Sequence, residues 1–309
     1  MHTLSRPRRE DAAAIHELIV ARDVAVLGVP DVTLDDVLGE LAEPAFDLGA
    51  DGWLARGADG RPDGWAWACA SGDGDVVDVE VIVRPGVTGL AERLWPLVLG
   101  RAAELGRARG HASASADVGV YRTDEAQRAL VRSYGFEPGT SFYRMRADFD
   151  GPVEPPPVPA GLTLETGESD DVRRRAHRVH QEGFADHFGF TPSGYDHWYE
   201  RRQAHNATDW SQLTLVSVDG EPAAVCIGND QFAADEGCGY VATLAVLPAF
   251  RGRGLGRFLL RHAFAADAAR GRKGTILHVD SNNTTPALGL YESAGMRPVM
   301  VIDVWRRQV

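Results

Sequence analysis

Eleven residues near the middle of the chain, Gly151-Pro-Val-Glu-Pro-Pro-Pro-Val-Pro-Ala-Gly161, contain five prolines. Proline fixes φ and has no backbone N–H, so neither a helix nor a central strand can run through this stretch, which favours extended polyproline II. It reads as a semi-rigid linker over residues 151–161. A cut there leaves residues 1–150 and 162–309, each the size of one ordinary domain.

Both pieces present the same order of signals, the trace that an internal duplication leaves after residue identity has faded. An amphipathic helical stretch opens each: Asp11 to Ala21 in the first, and Asp170 to Phe184, after the short strand Leu162-Thr-Leu164, in the second. A strand pair follows. Trp53-Leu-Ala55 and Trp65-Ala-Trp-Ala68 flank Gly57 to Gly64, while Leu213 to Val218 and Pro222 to Ile227 flank Asp219-Gly220, a dipeptide suited to a type I′ turn. Then come β-rich runs ending in proline, Val76 to Pro85 and Tyr240 to Pro248, and after each a long helix. In the second half that helix covers about Gly254 to Arg270, with Leu255, Phe258, Leu259, His262, Ala263 and Ala266 on one face. Strand Thr275 to Val279, a short helix from Pro286 and a final strand Val299 to Trp305 are expected to complete the second copy. This alternation after an initial hairpin predicts an α/β fold with a sheet of mixed direction, built twice.

The 44% apolar and 25% charged residues are globular values, which weighs against a disordered or disulfide-stapled chain. No run approaches the roughly 18 consecutive apolar residues of a membrane span, and the N-terminus carries charges where a secretory signal is apolar. The expectation is a cytoplasmic protein with no membrane partner, either monomer or homodimer. Cys69, Cys226 and Cys238 lack the CxxC spacing of zinc or redox sites, so no metal is expected. A net charge of -12 disfavours nucleic acid and biases the chain toward cationic ligands such as amines, or serves only solubility.

The chemistry is concentrated in Leu244-Ala-Val-Leu-Pro-Ala-Phe-Arg-Gly-Arg-Gly-Leu-Gly-Arg-Phe-Leu-Leu260, a glycine-rich turn between a strand and a helix. Free N–H groups and the positive dipole end converge at a helix N-terminus, which makes such a turn a nest for phosphate. Gly252, Gly254 and Gly256 permit close approach, and Arg251, Arg253 and Arg257 add charge, with one of the three expected to be structural. Pro248 and the long gap from strand to glycine fit a dinucleotide-binding Rossmann turn badly.

Arg251-Gly-Arg-Gly-Leu-Gly256 resembles the R/Q-x-x-G-x-G/A pyrophosphate loop of GNAT acyltransferases, preceded by that family's apolar strand and proline. Downstream, Val279 to Met296, with Leu290-Tyr-Glu292 and Gly295, resembles the family's closing N…A..LYE..GF element. The resemblance implies acetyl-CoA as co-substrate and a bulged strand that splays from its parallel neighbour to admit the acyl-pantetheine arm. It assigns Leu244, Ala245 and Val246 to the pantetheine and oxyanion, Arg251, Gly252, Arg253, Gly254, Leu255, Gly256 and Arg257 to the pyrophosphate, and Tyr291 to protonation of departing CoA. The alternative for Tyr291 is a core tyrosine in an amphipathic helix. Asn283 matches the family asparagine with one additional residue before the tyrosine, and also reads as part of a helix start capped by Thr285 with Pro286 at its first position.

An alkyl ammonium must lose a proton before attack, at a cost of roughly 4.6 kcal/mol at pH 7, so a base or a water relay is expected. Glu236 is taken as the base, with His278, Asp186 and His187 as alternatives. Phe184, Asp186, His187, Tyr195 and Trp198 mix aromatic and charged groups that either line an amine pocket or pack helix on helix. Cys226 and Cys238 have no base partner that would make either a nucleophile. In the first half the matching segment, Val81 to Leu94, loses the alternating glycines, Glu92 stands where phosphate would arrive, and Val131 replaces the tyrosine. The N-terminal copy is therefore expected to be degenerate. This tandem pattern resembles two-domain GNAT proteins of the mycothiol synthase type. It implies N-acetylation of a small-molecule or peptide amine in a ternary complex, with a thiol-precursor amine or a non-catalytic acyl-CoA sensor as alternatives.

Overall fold

The computed structural model describes residues 2–309 except 71, 73, 186, 188–189, 205–207 and 282–286. Its elements are β1 (Thr3–Ser5), α1 (Ala12–Leu27), α2 (Leu34–Ala42), β2 (Gly52–Arg56), β3 (Pro62–Ala70), β4 (Val76–Val83), α3 (Ala91–Ala108), β5 (Ser115–Tyr121), α4 (Glu125–Ser133) and β6 (Glu137–Asp148), then β7 (Leu162–Thr166), α5 (Asp170–Phe184), α6 (Tyr195–Ala204), β8 (Leu213–Val218), β9 (Glu221–Asn229), β10 (Cys238–Val246), α7 (Leu255–Ala269), β11 (Gly274–Asp280), α8 (Ala287–Ser293) and β12 (Arg297–Gln308). The mixed α/β architecture expected from the repeated signals is present in two compact units, one essentially residues 1–140 with 302–309, the other most of residues 141–301.

In the first unit the strands run β1-β2-β3-β4-β5 and are antiparallel except for β4 and β5. Strand alternation sends neighbouring residues to opposite faces. Trp65 and Ile82 join Ile15, Leu18, Val37 and Leu41 beneath α1 and α2, while Ala66 and Val81 join Leu94, Trp95 and Val98 beneath α3.

The second unit repeats this plan as β7-β8-β9-β10-β11. Ser169 caps α5 by accepting from the Val172 N–H. The β8–β9 hairpin turns through Asp219 (φ 50°) and Gly220 (φ 87°), the two left-handed positions of the expected type I′ turn. Val172, Ala176 and Val179 of α5 cover one face with Leu213, Leu215, Val225 and Ala245. Leu255, Phe258 and Leu259 of α7 cover the other with Val216, Ala224, Val241 and Leu277.

The sixth strand of each unit corrects the expectation that the last strand completes the second copy. Ile302–Gln308 of β12 pairs antiparallel with Tyr121–Ser115 of β5, in the first unit, and Phe142–Asp148 of β6 pairs with Asp280–Gly274 of β11, in the second. Side chains account for this choice. Trp305 is buried in the cluster of Trp95 and Phe136, and Arg306 forks onto Asp117 with two 2.6 Å bonds. Met145 and Ala147 of β6 lie instead in the cluster of Phe258 and Leu277.

Candidate active site

β10 and β11 are parallel and in register from Cys238↔Gly274 to Val241↔Leu277, where matching stops although β10 runs on to Val246 and β11 to Asp280. At the same place the antiparallel register with β9 slips, since Val241 faces Gly228 while Thr243 faces Ile227. Ala242 is therefore the additional residue of a β-bulge. The bulge leaves alternation intact on either side: Val241 and Leu244 face α7, while Thr243 and Ala245 face α5 and α6. Past the last matched pair the two strands leave a slot in the sheet. It opens into a cleft of about 700 Å³ lined by Ala242, Leu244, Ala245 and Val246, within the size range of small-ligand sites.

At one end of the cleft is the turn into α7. Gly252 and Gly254 adopt φ of 77° and 80°, and a Cβ on either would meet no atom within 4 Å, so backbone handedness requires glycine and the space beside it stays open. Gly254 caps α7 with no side chain to occupy the first N–H groups, which are left to an anion. Gly252, Gly254, Leu255, Gly256 and Arg257 all line the cleft. Arg251 is the structural arginine of the three: Nε donates to the Val246 carbonyl at 3.1 Å and Nη2 to that of Gly183 at 3.3 Å, tying α5 to the end of β10. Arg257 bonds Ser293 of α8. Arg253 is not a lining residue; its guanidinium stacks 5.2 Å over Phe250.

Tyr291 lines the cleft from α8 and is buried, and this burial, with Cys226 beside it, pushes its phenol up to about 12. It is therefore a neutral hydrogen-bond donor throughout the working pH range. Cys226 is buried and its thiol is also pushed up to about 12, mainly by desolvation, which removes it as a nucleophile at neutral pH.

On the α5 side, Phe184, His187, Phe190, Phe142, His278 and Asp280 complete the lining. Glu236 does not join them. Its carboxylate is held by Arg146 at 2.7 Å and Arg144 at 3.4 Å, two cations from β6 that local sequence could not place there. His278 lines the cleft with both nitrogens engaged: Nε2 accepts from Arg144 Nε at 3.2 Å, which fixes the proton on Nδ1 and directs it to the Tyr240 hydroxyl at 3.0 Å. Tyr195 and Trp198 belong to packing. Tyr195 donates to Asp170 at 2.6 Å, and Trp198 is buried against Tyr195 and Trp210. Asp186 and Asn283, with Thr285 and Pro286, lie outside the described residues.

Sequence reading passed over Ala242, Asp280 and Phe142. Asp280 is the single carboxylate among the described lining residues, and its signal was alternation: His278 and Asp280 share a face of β11. Phe142 had none, because its strand is borrowed from the other half of the sequence.

A parallel pair pried open by a bulge, over a glycine-capped helix, coincides with a match of residues 174–296 to the acetyltransferase (GNAT) family. The chain carries a GNAT acetyltransferase domain. Proteins called mycothiol acetyltransferase resemble the whole chain more distantly. That of Clavibacter michiganensis is 29% identical over 82% of this chain and 79% of its own, and that of Nocardia farcinica 29% over 94% and 92%. Among solved structures, a GCN5-related N-acetyltransferase from Sphaerobacter thermophilus superposes over 99% of this chain and 95% of its own at a TM-score of 0.80 and 24% identity. A tandem GNAT protein from the clavulanic acid biosynthesis pathway covers 100% and 98% at 0.74 and 16%. The tandem fold is thus shared across the full length.

In the first unit the parallel pair also parts early, β4 and β5 matching only from Val76↔Ser115 to Asp78↔Asp117, but the bulge is missing. Register between β3 and β4 is unbroken from Gly64↔Val83 to Ala70↔Val77, with no bulge. Leu90 holds the cap position that Gly254 holds in α7, and its side chain is buried in the core. Glu92 is exposed in the first turn of α3, and Val131 is buried where Tyr291 has its counterpart.

Proposed function

We propose that the second unit transfers acetyl from acetyl-CoA to an amine by direct attack within a ternary complex, and that the first unit is a non-catalytic copy. The coincidence of the Ala242 bulge with the last matched β10–β11 pair carries this reading, because it frees strand edge for a pantetheine arm directly above an anion nest. The N–H groups at the start of α7 and the Arg257 guanidinium would hold the pyrophosphate, and those amides of Leu244 to Val246 that face away from β9 would polarise the thioester carbonyl.

Attack then forms the C–N bond as the thioester C–S bond breaks. Tyr291 donates a hydrogen bond to the sulfur without surrendering its proton fully: a phenol near 12 facing a thiol near 8.5 makes complete transfer uphill by roughly 5 kcal/mol. Asp280 takes the ammonium's proton, directly or through water. The distant likeness to mycothiol acetyltransferases supports a narrower reading, in which the acceptor is the amine those relatives acetylate.

The test is thermal shift with acetyl-CoA for the native chain and Gly254→Asp, followed by CoA release across a panel of amines. A stabilisation lost in the variant, with amine-dependent CoA release, is the expected result. Stabilisation with no release from any amine would leave a sensor, and no stabilisation would remove the acyl-CoA site.

A further inference from the structure

The cleft reaches both faces of the sheet. The groups assigned to the cofactor, the start of α7 and Tyr291, belong to the α7 face, so the acceptor approaches the acyl carbon from the α5 face. On that face Asp280 is buried, and its cross-strand partner in the ladder of β6 and β11 is Phe142. Antiparallel partners project to the same side with Cβ atoms about 5 Å apart. Carboxylate and phenyl ring therefore enter the cleft side by side, and both line it.

Phe184 and Phe190 line the same face, with ring centroids 6.0 Å apart and His180 in edge contact with each. All three phenylalanines are only partly buried, and Phe142 and Phe190 join no core cluster of the described residues. Packing of the core does not account for those two rings. Large apolar side chains facing a cavity in this way are what ligand sites use to hold an apolar group.

We infer that these rings hold a substituent of the acceptor, so that the amine acetylated carries an aromatic ring close to its nitrogen, as an aralkylamine does. This rests on the acetyl-transfer reading above and narrows it. Asp280 decides between the acceptor and a long acyl chain as the occupant. A chain lying on Phe142 would desolvate the neighbouring carboxylate and offer it no partner, whereas an ammonium pairs with the carboxylate while its substituent covers the ring. Ring-to-ring contact adds to the burial and favours an aromatic substituent. Attraction of the rings for the ammonium itself serves every primary amine alike, so a difference among amines isolates the substituent.

The test titrates CoA into the full chain by calorimetry, and then 2-phenylethylamine, ethanolamine and glucosamine into the CoA-saturated protein. 2-Phenylethylamine should bind about tenfold or more tightly than either polar amine. Phe142→Ala should cut that preference to about threefold or less, and Phe142→Leu should keep part of it; a preference that Phe142→Ala leaves unaltered overturns the inference. The three amines binding equally, or none binding, overturns it while sparing the acetyl-transfer reading. The same holds if hexanoyl-CoA binds about tenfold more tightly than acetyl-CoA with no amine preferred, which would give the rings to the acyl chain. Failure of CoA to bind, seen in the first titration, overturns both. The comparison of amines in the native protein stands even if a variant misfolds.

Discussion

Val241 of β10 and Leu277 of β11 form the last matched pair between those strands, and the next residue, Ala242, is the bulge. Because Val241 and Thr243 already face opposite sides of the sheet, removing Ala242 would restore unbroken alternation without turning any side chain to the wrong face.

Deletion of Ala242 is therefore expected to leave a folded protein with the slot closed. Acetyl-CoA affinity should fall by more than about tenfold by calorimetry, with the melting temperature shifted by only about 3 °C, a change of order 1 kcal/mol. Unaltered affinity would show that the bulge does not make the slot.

Tyr291→Phe should lower kcat by roughly 100-fold and leave KM for acetyl-CoA within about twofold, since the hydroxyl acts only as the sulfur departs. Below the phenol's raised value of about 12 the hydroxyl stays protonated, so its loss should not reshape the pH–rate profile between pH 6 and about 9. An equal rise in KM would assign the residue to binding.

The glycine cradle was legible because Gly252 and Gly254 each serve a local need, a left-handed φ, that shows in residue type. Tyr291 was legible for the same reason, through a short motif. What could not be read depends on partners far along the chain. Glu236 seemed a free carboxylate until β6 delivered Arg144 and Arg146 from about ninety residues earlier. Tyr195 and Trp198 have the same composition as an aromatic pocket, and only the arrival of Trp210 and Asp170 shows that they pack.

Asp267 of α7 is buried, bonds Thr275, and has its carboxyl pushed up to about 6, chiefly by desolvation. The folded state then holds its proton more tightly than the unfolded chain, so stability conferred below about pH 4 is lost as pH rises through 6. Asp267→Asn should flatten this dependence. Relative to the native protein, the variant should gain up to about 3 kcal/mol between pH 4 and 8 in denaturant titrations. A constant difference across that range would show that the carboxyl titrates normally.

Leu90 in the place of Gly254, with no bulge in β4, predicts that one acetyl-CoA binds per chain. Calorimetry should return a stoichiometry near one, falling toward zero in Gly254→Asp. A residual second site in that variant would place cofactor in the first unit.

The exchange of sixth strands has a consequence for descent. The second unit's β6 precedes the proline segment in the chain, and the first unit's β12 follows the second unit's β11 and α8. A mutation that truncated either copy would strip an edge from the other, leaving exposed backbone prone to pair with other chains. Two duplicated genes that trade strands in this way become inseparable. If the first unit is non-catalytic, as proposed above, it can accumulate changes such as Leu90 and Val131, yet selection for its partner's sheet keeps it in the genome.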